Sequence, residues 1–150
     1  MPTRKVNARD FILQVLAADG TTWIGIGALN KIAIKLDDSE ETVDTTTFDS
    51  AGNAESEAMQ RGAALDLEGF ALMDPTTGAQ DPGQARCEVL ATQTGYNSLG
   101  SVRFRYPAQN TWKNWTAVFS VGEQGGGTND KGSWKCSITR SGASTTTSAP

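Results

Sequence analysis

The sequence predicts a mainly β domain: a sandwich or open barrel with one short α-helix packed on it and one long extended loop. Three observations predict it. Apolar residues alternate with polar ones in several short runs, most cleanly at Lys31–Leu36 and Ser101–Tyr106. Turn signals rich in glycine, aspartate and proline separate those runs. Only one stretch, after Asp81-Pro82, carries both a helix start and a helix period.

Residues 1–140 read as one domain and 141–150 as a low-complexity tail. The first ten residues are polar and predict a mobile or docking segment. Phe11–Ala17 is a short apolar run, Asp19-Gly20 a hairpin turn, and Thr21–Ile26 the returning strand. Ile32, Ile34 and Leu36 share one strand face, with Lys31, Ala33 and Lys35 on the other. After the long loop, Leu65, Leu67, Gly69, Ala71 and Met73 form one face of a strand. Asp66 and Glu68 lie on its other face.

Asp81 is a good N-cap, Pro82 a good first-turn residue and Gly95 a C′ glycine. Cys87, Leu90 and Ala91 share a helix face, as do Ala85 and Val89. Val102, Phe104 and Tyr106 alternate with Arg103 and Arg105. A long strand over 110–121 puts Trp115, Ala117, Phe119 and Val121 together, and Trp112 falls out of phase with them. Trp112 therefore reads as an exposed or interface aromatic. A flexible tip at 122–130 leads to a closing strand with Trp134, Cys136 and Ile138 inward. Ser141–Pro150 has no core residue and predicts disorder in a free subunit.

The 150 residues carry 13 basic and 17 acidic side chains, a net charge of −4. The basic residues are scattered, with no stripe of the kind that grips nucleic acid. Histidine is absent, which removes the commonest general base and metal ligand. The two cysteines, Cys87 and Cys136, sit among apolar neighbours and read as buried thiols. The N-terminal charges precede no apolar segment, and no run is long enough to span a bilayer, so a soluble cytoplasmic chain is expected.

Several motifs dissolve on inspection. Gly25-Ile26-Gly27 lacks the third glycine of a dinucleotide fingerprint, since Asn30 stands there. Gly125-Gly126-Gly127 has no following Lys-Ser/Thr. The cluster Asp37, Asp38, Glu40, Glu41 and Asp44 lacks the spacing of a calcium loop. Asn114-Trp115-Thr116 fits a glycosylation sequon by chance, as no secretion signal is visible. Asp66 and Glu68 stand about 7 Å apart on one strand face, but a glycosidase pair flanks a cleft and nothing else suggests one. No catalytic residue, cofactor or metal is assigned.

The informative stretch is the excursion over 37–62. It is acidic, threonine-rich and nearly free of large apolar residues, so it supplies no core face. Long polar loops between good strands are usually functional. This one reads as an arm that reaches beyond its own domain.

Glu40-Glu41-Thr42-Val43-Asp44-Thr45-Thr46-Thr47-Phe48-Asp49-Ser50-Ala51-Gly52 resembles the acidic loop of the major tail tube proteins of long, non-contractile-tailed phages. The order of the other elements is similar too: Trp23-Ile24-Gly25-Ile26-Gly27, a strand ending near Gly69, a mid-chain helix, Arg103-Phe104-Arg105-Tyr106-Pro107 and a Trp-centred closing strand. The resemblance implies a β-sandwich fold shared with type VI secretion tube proteins, and no catalysis. It implies a virion subunit, assembled in the host cytoplasm, that forms stacked, hexameric rings around a tape measure protein. Tail tip and terminator proteins would be further partners, and viral DNA would pass through the lumen without tight binding. Carried onto this chain, Val43, Asp44, Thr45, Thr46, Thr47, Phe48, Asp49, Ser50 and Gly52 would contact a neighbouring subunit or ring, and the arm, disordered in a free subunit, would be the switch that controls assembly. Asp66 and Glu68 would face the lumen. Related roles on a similar fold are a tail terminator, a head–tail connector or a secretion-tube subunit. A monomeric binding module using exposed tryptophans is a further alternative.

Overall fold

The computed structural model describes residues 3–149. Its strands are β1 (Ile12–Leu16), β2 (Trp23–Gly25), β3 (Leu29–Lys35), β4 (Glu41–Asp44), β5 (Ser56–Gln60) and β6 (Ala64–Phe70). The helix α1 (Pro82–Thr92) follows, then β7 (Leu99–Arg105), β8 (Thr111–Val121), β9 (Ser133–Arg140) and β10 (Thr145–Ser148). One antiparallel sheet runs in the order β2-β1-β7-β8-β9-β6-β3, with β10 also on β8; β4 and β5 form a separate two-stranded sheet.

Alternation builds the core. Leu13 and Val15 of β1, Leu65 and Leu67 of β6, Val102 and Phe104 of β7, Trp115 and Phe119 of β8, and Trp134 and Ile138 of β9 are all buried in one cluster. Strands from opposite ends of the sheet share that cluster, so the sheet curls around it. Its two ends are not hydrogen-bonded to each other. This is the open-barrel form of the expected class.

The hairpin after β1 forms as predicted. The Asp19 carboxylate accepts from the Thr21 and Thr22 amides, both at 2.9 Å, and from the Thr22 hydroxyl at 2.6 Å. These bonds, the Thr22 hydroxyl first, lower its pKa to about 2. Gly20 takes φ +77°, where a side chain would be strained.

Helix α1 is tied to the sheet by polar bonds at its start. Asp81 accepts from the Gln84 amide, capping the helix, and from the Gly27 amide at 3.1 Å. Gln84 is fully buried. Its Oε1 accepts from the Leu72 amide at 3.1 Å, and its Nε2 donates to the carbonyls of Phe70 (2.7 Å) and Gly27 (3.2 Å). One side chain thus satisfies backbone groups where β6 ends and where the chain crosses from β2 to β3. Gly83 permits the approach: a Cβ there would stand 2.7 Å from the Ile26 Cα.

Three expectations need correction. Gly95 is not the C′ residue; α1 ends at Thr92 with Gln93 as C-cap, and Gly95, at φ +64°, opens a separate 3-10 turn over Gly95–Ser98. The β6 face stops at Phe70, because Gln84 takes up the next backbone groups, and Met73 is exposed. On α1 the Cys87–Leu90 side packs into the core, while Val89 faces solvent.

The expected disorder of the tail over 141–150 is the third. Thr145–Ser148 pairs antiparallel with Thr111–Asn114 of β8. Strand β8 is eleven residues long, and β9 covers its edge only from Ala117 to Val121. The remaining edge needs backbone partners, and the tail supplies them without burying a side chain. Its last residue, Pro150, lies outside the described residues, as do Met1 and Pro2 at the other end. Residues 3–7 have no regular structure, and Ala8–Asp10 makes one 3-10 turn.

Gln84→Ala would leave three part-buried backbone groups without this partner. Thermal or urea denaturation should show a loss of roughly 2–4 kcal/mol, far more than an exposed α1 substitution such as Val89→Ala.

Candidate assembly surface: the arm, its root and the open seam

The arm leaves the barrel as an extension of the β3–β6 hairpin. Lys35 pairs with Ala64 as the last rung of that ladder. The arm's own ladder then runs from Glu41↔Gln60 to Asp44↔Ser56. At the root, Arg61 meets Glu40 at 2.6 Å and Gln60 Nε2 donates to the Ser39 carbonyl at 2.7 Å. Ser39 sits at φ +61°, a left-handed turn between the two ladders.

The tip is ordered by short polar side chains rather than by burial. The Asp44 carboxylate accepts from the Thr46 amide at 2.9 Å, and this contact, the Thr46 hydroxyl first, lowers its pKa. Thr46 Oγ1 accepts from the Glu55 amide and donates to the Glu55 carbonyl. Thr47 and Ser50 form a reciprocal capping box around the single turn Phe48–Ser50. Ala51 and Gly52 then reverse the chain at φ +53° and +83°. The expected disorder of the arm in a free subunit is therefore not what the structure shows. Asp, Thr and Ser cannot build a core, but they bond to nearby backbone and fix turns.

The predicted arm residues Val43, Asp44, Thr45, Thr46, Thr47, Phe48, Asp49, Ser50 and Gly52 all lie on this hairpin. Phe48 is fully exposed, with Val43 and Met59 exposed nearby. Residues 40–60 carry six carboxylates and no basic side chain.

Asp66 and Glu68 lie on the outer face of β6, away from the tip. Asp66 is bonded to Lys35 at 2.6 Å and accepts from the Ser137 hydroxyl at 3.0 Å. Glu68 stands between Lys31 on β3 and Lys135 on β9 in the strand register. The face is a lattice of alternating charges, not an acidic strip. Among the described residues no acidic or cysteine cluster can hold a metal ion.

Trp112, Trp115 and Trp134 are buried and Trp23 is half-buried. Trp112 is buried, contrary to its reading as an exposed aromatic. Its phase was legible; its cover was not. The Arg103 guanidinium stacks between the Trp23 and Trp112 rings at 4.4 and 4.2 Å, and Arg105 lies 4.8 Å from Trp112. Arg103 Nε also donates to Gln14 at 2.8 Å. Trp115 and Trp134 are core residues. Cys87 and Cys136 are buried free thiols, and the contact with Cys136, followed by burial, pushes the Cys87 thiol up.

Sequence reasoning missed the seam where the barrel fails to close. Between β1 and β3 runs a cleft of about 810 Å³, lined by Phe11, Ile26, Leu29, Ile32 and Tyr106 and edged by Arg9 and Lys31. Phe11 packs edge-on to Tyr106 at 5.3 Å. The apolar Phe11 run was visible, but an open seam between strands distant in sequence has no local signature.

No protein-family model and no curated protein matches the chain. Solved structures do. A chain in the virion of a native gene transfer agent particle is similar with a TM-score of 0.71 and 18% identity, over 96% of this chain and 100% of that one. A chain in the tail of an empty gene transfer agent particle, obtained by helical refinement with C6 symmetry, is similar with a TM-score of 0.71, 19% identity and the same coverage. The likeness establishes a shared fold along the whole chain. Among the described residues no helix is long and apolar enough to cross a membrane.

The Lys35–Asp66 pair gives a pH signature. The bond from Lys35, the largest cause, holds Asp66 below its ordinary 3.8. Its contribution is complete above the unfolded value and is lost as pH falls through the folded one. Asp66→Asn should therefore lower the melting temperature at about pH 7, and the gap to the unaltered chain should close at about pH 2. A gap independent of pH would deny the pair that role.

Proposed function

We propose that this chain is a structural, self-assembling subunit of a phage-like tail tube. The carrying observation is the extent of the fold likeness: it spans nearly all of this chain and all of a chain belonging to a tail of C6 symmetry. On this reading the chain forms hexameric rings that stack into a hollow conduit for a genome, as in a long non-contractile tail. A tape measure protein inside, and terminator and tip proteins at the ends, would be its partners. The chain would act in the virion tail after assembly in the host cytoplasm, and it would have no catalytic role.

The physical chemistry is compatible with a conduit. Basic walls would trap DNA through counterion release. This chain is net acidic, and on the face carrying Asp66 and Glu68 the carboxylates stand beside Lys31, Lys35 and Lys135. If that face lines the bore, its paired charges offer phosphate no continuous basic track.

The arm is the proposed ring-stacking element. A hairpin that projects from the barrel and exposes Phe48 gains no intramolecular burial from doing so. Replacing residues 41–60 by a short glycine-containing turn should leave a folded monomer, with circular dichroism of the sheet retained. Negative-stain electron microscopy should show rings or hollow tubes for the full chain and none for the variant. A variant that still polymerises normally would remove the arm from assembly.

A further inference from the structure

We propose that the arm of one copy seats Phe48 in the open seam between β1 and β3 of a second copy. The proposal rests on the tube reading for its setting, and it adds a receptor site that the reading does not supply.

The two surfaces are complementary in three respects. The first is charge. The arm carries carboxylates at Glu41, Asp44, Asp49, Glu55 and Glu57 and no basic side chain between residues 40 and 60. The seam is edged by Arg9 and Lys31, and no carboxylate lines it. Such complementarity steers encounter and fixes register. The second is apolar chemistry. Phe48 has its entire side chain in water, and the seam offers Phe11 and Tyr106, already packed edge to face, as partners for another ring. The third is size. A cleft of about 810 Å³ lies in the roughly 300–1,000 Å³ range of sites that enclose a ligand.

A second copy is the required occupant. Among the described residues β4 and β5 pair with no strand but each other, and Phe48 is exposed, so the arm does not fill its own seam. Seven residues of extended chain between Glu41 and Phe48 span about 20 Å, enough to bridge to an adjoining barrel.

The geometry is testable by cross-linking. Phe48→Cys is mixed with Ile34→Cys, which lines the seam, or with Val118→Cys, an exposed control on β8. Oxidised glutathione is the oxidant: two protein thiols lose their protons and form one S–S bond while glutathione disulfide is reduced to two thiols. Cys87 and Cys136 are buried and stay out of reach. Non-reducing electrophoresis should show inter-chain dimers for Phe48→Cys with Ile34→Cys and not with the control. Sedimentation velocity supplies the second readout. Asp49→Lys should weaken association by about tenfold, and Arg9→Glu with Lys31→Glu, which sets an acidic seam against the acidic arm, should weaken it at least as much.

The outcomes separate the two claims. Tubes that form while Phe48→Cys cross-links no better to the seam than to β8 would overturn the docking and leave the tube reading standing. Specific seam cross-links with no rings or tubes at any concentration would support the docking and overturn the tube reading. Absence of both would overturn both.

Discussion

The pairing of β3 with β6 holds the arm in place, and the hydrophobic effect sets that pairing. Leu65 and Leu67 point into the core while Asp66 and Glu68 point out. A slip of one residue would turn the whole set over, exposing both leucines and burying two carboxylates. Burying each leucine contributes about 1.5–3 kcal/mol, whereas an exposed ion pair contributes about 0–1 kcal/mol. The bridges at Lys35–Asp66 and Glu40–Arg61 therefore trim the register but do not choose it. The far end of β6 is fixed by Gln84, which gathers the backbone of Phe70, Leu72 and Gly27 under the start of α1. Core register at one end and a buried amide at the other define where the arm begins.

What could be read from the sequence divides by range. The strand faces were legible because a period of two is a local signal: Leu65 and Leu67, Val102 and Phe104, Trp134 and Ile138 all point as the alternation says. The helix start was legible because Asp81 and Pro82 act within one turn. What covers an outward residue was not. Trp112 points outward, as its phase says, but two arginine stems from β7 lie across it. Long cationic side chains bury apolar surface while keeping their charge accessible; Arg103 and Arg105 lie just across the β7–β8 turn, but alternation alone does not say that their stems fold over the ring.

The tail and the arm were misjudged for one shared reason. Neither supplies a core face, and a missing core was taken as a missing structure. Strand β10 is held by the unmet edge of a long β8. The arm is held by its own ladder and by Asp44, Thr46, Thr47 and Ser50 bonding to adjacent backbone. In both, backbone hydrogen bonding substitutes for burial. Such order is shallow, since exposed ladders open at low free-energy cost.

That shallow order bears on how assembly could be controlled. A wholly disordered arm would lose about 1–2 kcal/mol of backbone entropy per residue on docking, a large barrier between free subunits. A preformed hairpin loses much less, so ordering of the arm is a poor switch. If tubes form as proposed, restraint must come from the weakness of each contact. One aromatic anchor contributes about 1.5–3 kcal/mol, too little to hold two subunits together at dilute concentration. On that reading several arms on one ring would engage together, and each contact after the first would be intramolecular, with an effective concentration in the millimolar range. Free subunits would then associate only weakly and transiently, while a completed ring would capture the next. The same arm that is negligible alone becomes decisive once a ring exists to present it in register.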